Sequence, residues 1–234
     1  MKKVIEFKNV SKAYQTGSNV TYAVKDVSFA IEEGEFVVVL GPSGAGKSTI
    51  LNLLGGMDYV SDGEIIVNGK KISDYKDNQL TDYRAEDVGF VFQFYNLIPS
   101  LTTYENVNLM KDIKKTAMDA KEVLALVGLK EHLDKFPTQL SGGEQQRVSI
   151  ARAIAKNPTM LLCDEPTGAL DSETGIIVLE LLQKMSREYH KTVIIVTHNA
   201  VLAETADKVI RIRNGKIVAI EKNENPKNIS EVNY

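Results

Sequence analysis

The stretch GPSGAGKS at positions 41–48 combines closely spaced glycines with a lysine and a hydroxyl side chain. Glycine lets the backbone curl so tightly that several N–H groups converge on one anion, as phosphate binding requires. The apolar run Phe36–Leu40 precedes the stretch and apolar residues at helical spacing follow it, so a helix N-terminus adds its positive dipole end. The pattern predicts a phosphate-binding loop in which Lys47 meets the β- and γ-phosphates and Ser48 ligates Mg²⁺, although an ordinary glycine-rich turn is the alternative. The residues assigned here to nucleotide binding are Gly41, Pro42, Ser43, Gly44, Ala45, Gly46, Lys47, Ser48 and Thr49.

Two adjacent carboxylates, Asp164 and Glu165, follow the apolar run Met160–Cys163. Ligands of open α/β sheets bind beyond the carboxyl ends of the strands, so this pair and the phosphate-binding loop are expected to face one crevice. Asp164 suits Mg²⁺, which prefers oxygen ligands, and Glu165 can act as a general base toward an attacking water. Taken alone, two acids at a strand end could instead cap the turn that follows.

A second anion-binding helix start is predicted at the sequence SGGE, residues 141–144. Ser141 is expected to be the N-cap and Glu144 to complete a capping box, while Gly142 and Gly143 bring the backbone N–H groups close to an anion. By itself the pattern is also that of a plain capped helix. Two such helix starts lie far apart in one chain, so one chain is not expected to place both of them at the same nucleotide. We therefore expect a dimer in which this segment reaches the nucleotide held by the other copy.

Strand-like and helix-like patterns alternate along the chain. The apolar runs lack period-two alternation, which is typical of strands covered on both faces in a parallel sheet. The runs are Phe36–Leu40, Met160–Cys163 and Val193–Val196, and the helices predicted before the last two are Glu144–Lys156 and Ser172–Tyr189. This order predicts βαβ units and a doubly wound α/β core.

The remaining segments have weaker patterns. The first thirty or so residues resemble two strands, and the dipeptides Asn68-Gly69 and Asn214-Gly215 predict hairpins. The middle of the chain, from about 94 to 138, is expected to be mostly helical, with one helix over Met118–Gly128. From Lys222 the chain is polar, and a frayed tail is expected there.

Composition narrows the class of protein. The chain has 234 residues, of which 43% are hydrophobic and 25% charged, which excludes a disordered protein. A formal net charge of −3 argues against a non-specific nucleic-acid binder. No apolar stretch is long enough to span a bilayer, so any membrane role is expected to come from a partner. A single cysteine cannot form an internal disulfide, and a reducing, cytosolic compartment is expected.

Five motifs in order resemble the nucleotide-binding subunit of an ABC transporter: GPSGAGKST, VFQFYNL, LSGGEQQR, LLCDEPTGALD and VIIVTHN. The resemblance runs from about Val4 to Ala219. It implies an α/β fold: a P-loop NTPase (RecA-like) core with a mainly parallel sheet, an N-terminal antiparallel β subdomain and a helical subdomain at about 94–150. It also implies one ABC ATPase domain over 1–221, with a polar C-terminal tail at 222–234.

The resemblance further implies a role for individual residues. Tyr14 stacks on adenine, Gln93 touches Mg²⁺ and the attacking water, and Glu165 is the general base. His198 contacts the γ-phosphate, and Asp171 organises the dimer interface. Each of four residues also has a local alternative. Tyr14 could be an exposed loop aromatic, Gln93 a surface amide and His198 a structural histidine. Asp171 could be the N-cap of the helix from Ser172. Two such subunits sandwich two ATP molecules, each between the loop of one copy and the LSGGE motif of the other.

The implied partners are a second copy of the chain and a transmembrane permease, at the cytoplasmic face of the membrane. The sequences TGALD and YNLIP resemble the branch that exports macrolides or antimicrobial peptides or releases lipoproteins. Phe94-Tyr95 and the short segment after Val107 depart from that branch. The competing classes are a soluble ABC ATPase that acts on nucleic acid or the ribosome, and a small-molecule P-loop kinase. The lone compact cassette and the acidic charge balance favour the transporter subunit over the soluble ABC ATPase, and a small-molecule kinase would leave LSGGE and His198 unexplained.

Overall fold

A computed structural model describes residues 2–17 and 19–232 of the chain. Within them ten strands alternate with seven α-helices and several short 3-10 turns. The strands are β1 (Lys3–Thr16), β2 (Asn19–Glu32), β3 (Phe36–Leu40), β4 (Asp62–Val67), β5 (Lys70–Lys71), β6 (Val88–Val91), β7 (Met160–Asp164), β8 (Thr192–Thr197), β9 (Lys208–Arg213) and β10 (Lys216–Lys222). The helices are α1 (Lys47–Leu54), α2 (Asp77–Glu86), α3 (Thr103–Asn108), α4 (Met110–Ile113), α5 (Ala120–Leu126), α6 (Gly142–Ala155) and α7 (Ser172–Arg187).

The strands form two sheets. The larger has the order β10-β9-β3-β8-β7-β6, in which only the β10–β9 pair is antiparallel. The smaller is antiparallel, with the order β2-β1-β4-β5. A mainly parallel core with an antiparallel N-terminal subdomain is the predicted fold class, and both predicted Asn-Gly hairpins are present as β4–β5 and β9–β10.

The central strand β3 shows why the large sheet is apolar on both faces. All five of its residues are buried, and alternate side chains enter two different hydrophobic clusters. Phe36, Val38 and Leu40 pack with residues of the helical face, whereas Val37 and Val39 pack toward α1 and the small sheet. Because side chains alternate across a strand, one continuous apolar run serves both cores.

The middle of the chain is less helical than its sequence predicts. Between residues 94 and 138 it contains three short helices, α3, α4 and α5, joined by turns. The helix predicted over Met118–Gly128 covers only Ala120–Leu126, because Asp119 caps its N-terminus and Gly128 adopts a left-handed φ of 75°. The long helix α6 begins two residues earlier than predicted, and α7 ends two residues earlier.

Helix α2 has no recognisable pattern in the sequence. This helix buries only Leu80 and Tyr83, so its apolar periodicity is too sparse to distinguish it from a polar loop. Its position is nevertheless fixed, because the Tyr83 hydroxyl donates to the Leu54 carbonyl over 2.7 Å.

The prediction of a frayed C-terminal tail is wrong for residues 222–232. Ile229 is fully buried and belongs to the cluster that contains α7. Gln183 of α7 accepts a hydrogen bond from the Ile229 N–H at 3.1 Å and donates to the Lys227 carbonyl at 3.0 Å. The burial of Ile229 therefore fixes this polar segment, because Gln183 of α7 satisfies backbone groups of the segment. Residues 233–234 lie outside the described residues.

Among the helices of residues 2–17 and 19–232, none is both long enough and apolar enough to cross a membrane.

Candidate functional site

The loop at 41–48 connects the end of β3 to the start of α1, as predicted. Two of its glycines are required by close packing. A Cβ on Gly41 would lie 2.3 Å from the Ile212 carbonyl oxygen, and one on Gly46 would lie 2.3 Å from the Ala23 carbonyl oxygen. Gly46 is also the N-cap of α1 with φ 99°, a conformation that side chains disfavour. These contacts hold the backbone in the curled form that exposes its N–H groups.

The Lys47 side chain lies within the curl of the loop, with only 7% of the residue exposed. Its ammonium donates hydrogen bonds to the Gly41 and Pro42 carbonyl oxygens at 2.9 and 3.1 Å. The same nitrogen lies 3.9 Å from Oε1 of Glu165. A nearly buried cation thus faces the carboxylates at the end of β7.

Ser48 and Asp164 meet between the start of α1 and the end of β7. The Ser48 hydroxyl donates to Oδ1 of Asp164 at 3.2 Å. Burial raises the pKa of the Asp164 carboxyl, and the neighbouring Glu165 charge raises it further, while the Ser48 hydrogen bond and Lys47 act in the opposite direction. A divalent cation bound here would offset the negative charge of these two carboxylates.

The donor set fits Mg²⁺ better than a transition metal. Within residues 2–17 and 19–232 no group of three or more His, Cys, Asp or Glu side chains could hold a metal ion. Magnesium needs no such cage, because it keeps several waters and binds one or two carboxylates plus the substrate's phosphates. Ser48 and Asp164 supply a hydroxyl and a carboxylate at 3.2 Å from each other, both hard oxygen ligands.

Glu165 is held in place from three sides. Its backbone has a left-handed φ of 45°, and its N–H donates to the Val196 carbonyl at 3.0 Å. The Thr197 hydroxyl donates to Oε2 at 3.2 Å, and Nδ1 of His198 lies 3.0 Å from Oε1. Because β7 and β8 run parallel side by side, their carboxyl ends bring Glu165 and His198 together. We call Lys47, Ser48, Asp164, Glu165 and His198 the strand-end site.

Gln93 follows β6 and lies against the turn that carries Glu165. A Cβ on Gly168 would lie 2.9 Å from Nε2 of Gln93, so the amide packs on this turn. The turn itself is closed by a hydrogen bond of 2.9 Å from the Gly168 N–H to the Glu165 carbonyl. Gln93 therefore neighbours the strand-end site through the backbone of the turn.

Residues 141–144, which we call the signature segment, begin α6 with the predicted capping box. Ser141 Oγ accepts from the Glu144 N–H at 3.3 Å, and Glu144 Oε2 accepts from the Ser141 N–H at 2.7 Å. The hydrogen bond from the Ser141 backbone lowers the pKa of the Glu144 carboxyl, despite partial burial. His132 Nε2 lies 3.1 Å from the other carboxylate oxygen, a contact that the sequence analysis missed because it spans two elements.

The signature segment packs against the helical side of the molecule. A Cβ on Gly142 would meet the Tyr95 hydroxyl at 2.7 Å, and one on Gly143 would meet Cγ2 of Thr174 at 1.9 Å. Asp171 is the N-cap of α7 and accepts from the backbone N–H and the hydroxyl of Thr174 at 2.9 and 2.8 Å. The backbone hydrogen bond lowers the pKa of Asp171. The local alternative for Asp171, a helix cap, is thus present in the structure.

Tyr14 lies at the far end of β1 and is 45% exposed. Its hydroxyl donates to Oδ2 of Asp58 at 2.8 Å, and the Lys12 ammonium lies 5.0 Å from the ring centroid. Partial burial raises the pKa of Tyr14, and Asp58 raises it further, while a hydrogen bond with Thr49 acts in the opposite direction. The side chain is thus fixed at its hydroxyl end near the start of α1 and is partly exposed.

Together the loop, the strand ends and the oxygen ligands define a P-loop nucleotide-binding ATPase domain. Residues 24–168 match the family model described as ABC transporter. An uncharacterized ABC transporter ATP-binding protein of Methanocaldococcus jannaschii, MJ0796, is 45% identical over 228 residues, which are 94% of this chain and 97% of that protein. The chain therefore belongs to the ABC transporter family, as one of its ATP-binding cassettes.

Solved structures agree with this assignment. The dimeric post-hydrolysis state of MJ0796 bound to ADP and Pi superposes with a TM-score of 0.85 at 43% identity and covers 93% of this chain and 98% of that one. Clostridium perfringens cbiO1, part of the ABC transporter complex cbiONQ, gives a TM-score of 0.82 at 27% identity over 95% of this chain and 89% of that one.

Some relatives are much longer. A putative ABC transporter ATP-binding protein of Mycoplasma genitalium is 46% identical over 236 residues, which cover 99% of this chain but 50% of that protein. A Mycoplasma pneumoniae homologue shows the same proportion. The chain thus spans about half the length of these two curated relatives.

Proposed function

We propose that this cassette hydrolyses Mg²⁺-bound ATP at the strand-end site and that the hydrolysis powers a membrane permease. The observation that most directly supports this proposal is the placement of Glu165. Its carboxylate is held by Thr197 and His198 and lies 3.9 Å from the Lys47 ammonium, beside the phosphate-binding loop. A base next to a triphosphate site is what attack by water requires.

The chemistry follows from the positions of the side chains. The loop N–H groups and Lys47 stabilise charge on the β- and γ-phosphates, and His198 contacts the γ-phosphate. Glu165 accepts a proton from the attacking water, and Thr197 and His198 fix the orientation of its two oxygens. Ser48, Asp164 and Gln93 would hold Mg²⁺, which neutralises phosphate charge when bound. Tyr14, which is partly exposed, stacks on adenine.

The proposal includes a dimer in which the signature segment of one copy completes the strand-end site of the other. The contacts of this segment within its own chain involve His132, Tyr95 and Thr174. Its capped helix start, with Ser141, Gly142 and Gly143, can thus serve a nucleotide held elsewhere. Asp171, next to Thr174, would align the two copies. The dimeric structures of MJ0796 support this arrangement.

The partner that we propose is a permease that docks near Gln93. Phe94 is 71% exposed, and Ile98 is also exposed, so an apolar surface follows directly on Gln93. Arg152 fixes the segment between them by donating to the Tyr95 and Asn96 carbonyls at 3.2 and 2.7 Å. Such a partner would hold the cassette at the cytoplasmic face of a membrane.

The proposed cargo is a peptide, drug or lipoprotein-type substrate that is exported or released, by analogy with the branch that the sequences TGALD and YNLIP resemble. Under this proposal residues 1–221 are one ATPase domain with a helical subdomain at about 94–150, and 222–234 are its tail. The partners would be a second copy and a permease, without nucleic acid.

The substitution Glu165→Gln tests the reaction. It keeps the size and backbone of the side chain but removes the base, so we expect hydrolysis to fall by roughly 10²- to 10⁴-fold. ATP should still bind and should trap a dimer that size-exclusion chromatography separates from the ADP-bound monomer. Near-normal turnover in this variant would exclude Glu165 as the base. Stimulation of wild-type turnover by nucleic acid or ribosomes, and not by a co-purified membrane protein, would favour the soluble class of ABC ATPase instead.

A further inference from the structure

Gln146 is a buried polar residue outside the predicted site. It lies on α6, two residues after the signature segment, and is 0% exposed. Its amide nitrogen donates two hydrogen bonds, to the Phe92 carbonyl at 3.1 Å and to the Pro166 carbonyl at 2.7 Å. Phe92 immediately precedes Gln93, and Pro166 immediately follows Glu165. One side chain thus joins the backbones next to two residues of the proposed reaction.

The orientation of this amide is fixed by the surrounding groups. The opposite amide position would place Oε1 against two carbonyl oxygens, which is repulsive, so both acceptors select the nitrogen. Oε1 is buried and has no hydrogen-bond partner among the described residues. A buried amide that leaves its oxygen unpaired carries a cost, which its two donated bonds must offset.

We infer that Gln146 is a positioning residue that ties the Gln93 backbone to the Glu165 turn and both of them to the helix of the signature segment. The inference rests on the proposed hydrolysis. The same turn is closed by the hydrogen bond from Gly168 to Glu165, and Gln93 packs on Gly168. Removing the two bonds from Gln146 therefore loosens the base relative to Gln93. Both of its hydrogen bonds go to carbonyls outside the phosphate-binding loop, so nucleotide binding should be spared.

The first test is Gln146→Met, which keeps volume and removes both donated bonds. We expect kcat for Mg²⁺-ATP hydrolysis to fall by about 10- to 100-fold, since small misplacements of reacting groups cost this much. KM for ATP should stay within about twofold of wild type, because the two hydrogen bonds position the base and do not hold the nucleotide. Gln183→Met is the matched control. Gln183 is a buried glutamine of α7 that donates one hydrogen bond to a backbone carbonyl, that of Lys227 at 3.0 Å, and its variant should keep the wild-type kcat.

The second test is Gln146→Glu, which keeps the shape and makes the donor titratable. A carboxylate would repel the two carbonyl oxygens, whereas the protonated acid can donate to one of them. Burial raises a carboxyl pKa, to about 8–9 in documented cases, so the acid form predominates below that range. The ratio of variant to wild-type kcat should therefore be several-fold higher at about pH 6.5 than at about pH 9. The same ratio for Gln146→Met should not change with pH.

The outcomes separate this inference from the proposed function. If wild-type protein does not hydrolyse ATP, the proposed function fails. If wild type hydrolyses ATP and Gln146→Met has the wild-type kcat, or raises KM as much as it lowers kcat, the positioning role is overturned. Should Gln146→Met prove unfolded by circular dichroism, the Gln146→Glu variant decides: a pH-independent ratio overturns the inference, and a ratio that rises on acidification supports it.

Discussion

The strand-end site and the signature segment are built in different ways. The strand-end site is linked within one chain, where Lys47, Glu165 and His198 lie within 3.9 Å of a neighbour in the group. The signature segment is equally well formed, with a complete capping box, but its neighbours include His132, Tyr95 and Thr174. One region is assembled beside the glycine-rich loop at which we propose that phosphates bind. The other has the form of an anion-binding helix start whose neighbours in the chain are not phosphate ligands.

Under the proposed function, this difference means that a single chain folds without completing its own reaction centre. Strand ends of a parallel sheet meet at one edge, so topology alone brings carboxylates and loop together. A helix start on a separate layer has no such constraint and can face outward. Under the proposed function, the signature segment of a second copy completes the strand-end site. Because the dimer is symmetric, each copy provides its signature segment to the other and receives that of the other.

The largest predicted effect is the recovery of hydrolysis when two inactive variants are mixed. One variant is changed in the strand-end site and the other in the signature segment. Lys47→Ala removes the buried cation from the strand-end site, and Ser141→Arg blocks the signature segment with a bulky side chain. Each variant alone should lose nearly all hydrolysis. A one-to-one mixture should recover up to roughly a quarter of the wild-type rate, because half of the dimers are mixed and each mixed dimer has one intact composite site. Phosphate release measures the rates.

Co-purification of differently tagged copies of the two variants serves as the control for subunit exchange. No recovery in the mixture, despite demonstrated exchange, would show that the two regions do not combine across copies. Full activity of Ser141→Arg alone would show that the signature segment is not needed.

A smaller effect is expected from Gly143→Ala, because the added methyl would lie 1.9 Å from Cγ2 of Thr174. Overpacking of this kind costs about 1–3 kcal/mol. We expect turnover to fall by about tenfold, the equivalent of 1.4 kcal/mol, while nucleotide binding to the strand-end site stays unchanged. Fluorescent-nucleotide titration and a turnover assay separate the two effects.

Thr174→Ser provides the matched rescue, since it removes Cγ2 but keeps the hydroxyl that donates to Asp171 at 2.8 Å. The double variant should regain most of the lost turnover. Weakened nucleotide binding in Gly143→Ala would mean that the two regions are coupled within one chain.

The smallest effect concerns the pH dependence of Mg²⁺ binding. Burial and the Glu165 charge raise the pKa of the Asp164 carboxyl, so its proton competes with the metal at a higher pH than for an exposed aspartate. The Mg²⁺ concentration for half-maximal turnover should therefore be higher at pH 5.5 than at pH 7.5. Asp164→Asn, which cannot titrate, should need more Mg²⁺ at every pH and show a flatter dependence. Equal pH dependence in both proteins would contradict a metal role for Asp164.

The sequence predicts the strand-end site well because motif order and parallel topology together determine where strand ends lie. The apolar runs at β3, β7 and β8 are continuous and unambiguous, and the loop at 41–48 has glycines that packing requires. The roles of the site residues stay predictions, since the structure shows proximity and the reaction itself needs the experiments above.

The features that sequence could not predict depend on contacts between distant elements. The order of strands in the large sheet, the His132–Glu144 contact and the Gln146 bonds all join parts of the chain that have no local signal of their pairing. The tail illustrates the same limit, because its burial depends on Gln183 of α7. Short or polar elements such as α2 are missed for a different reason, namely that their apolar pattern is too sparse.

The left-handed backbone at Glu165 restricts which residues this position can accept. A φ of 45° is tolerated by asparagine, aspartate or glycine but is a steric outlier for β-branched residues. Replacement by valine or threonine would add about 1–2 kcal/mol of conformational strain to the loss of the carboxylate. Naturally inactive cassettes with this backbone should therefore retain an unbranched residue there, so that loss of turnover does not also cost the fold its stability.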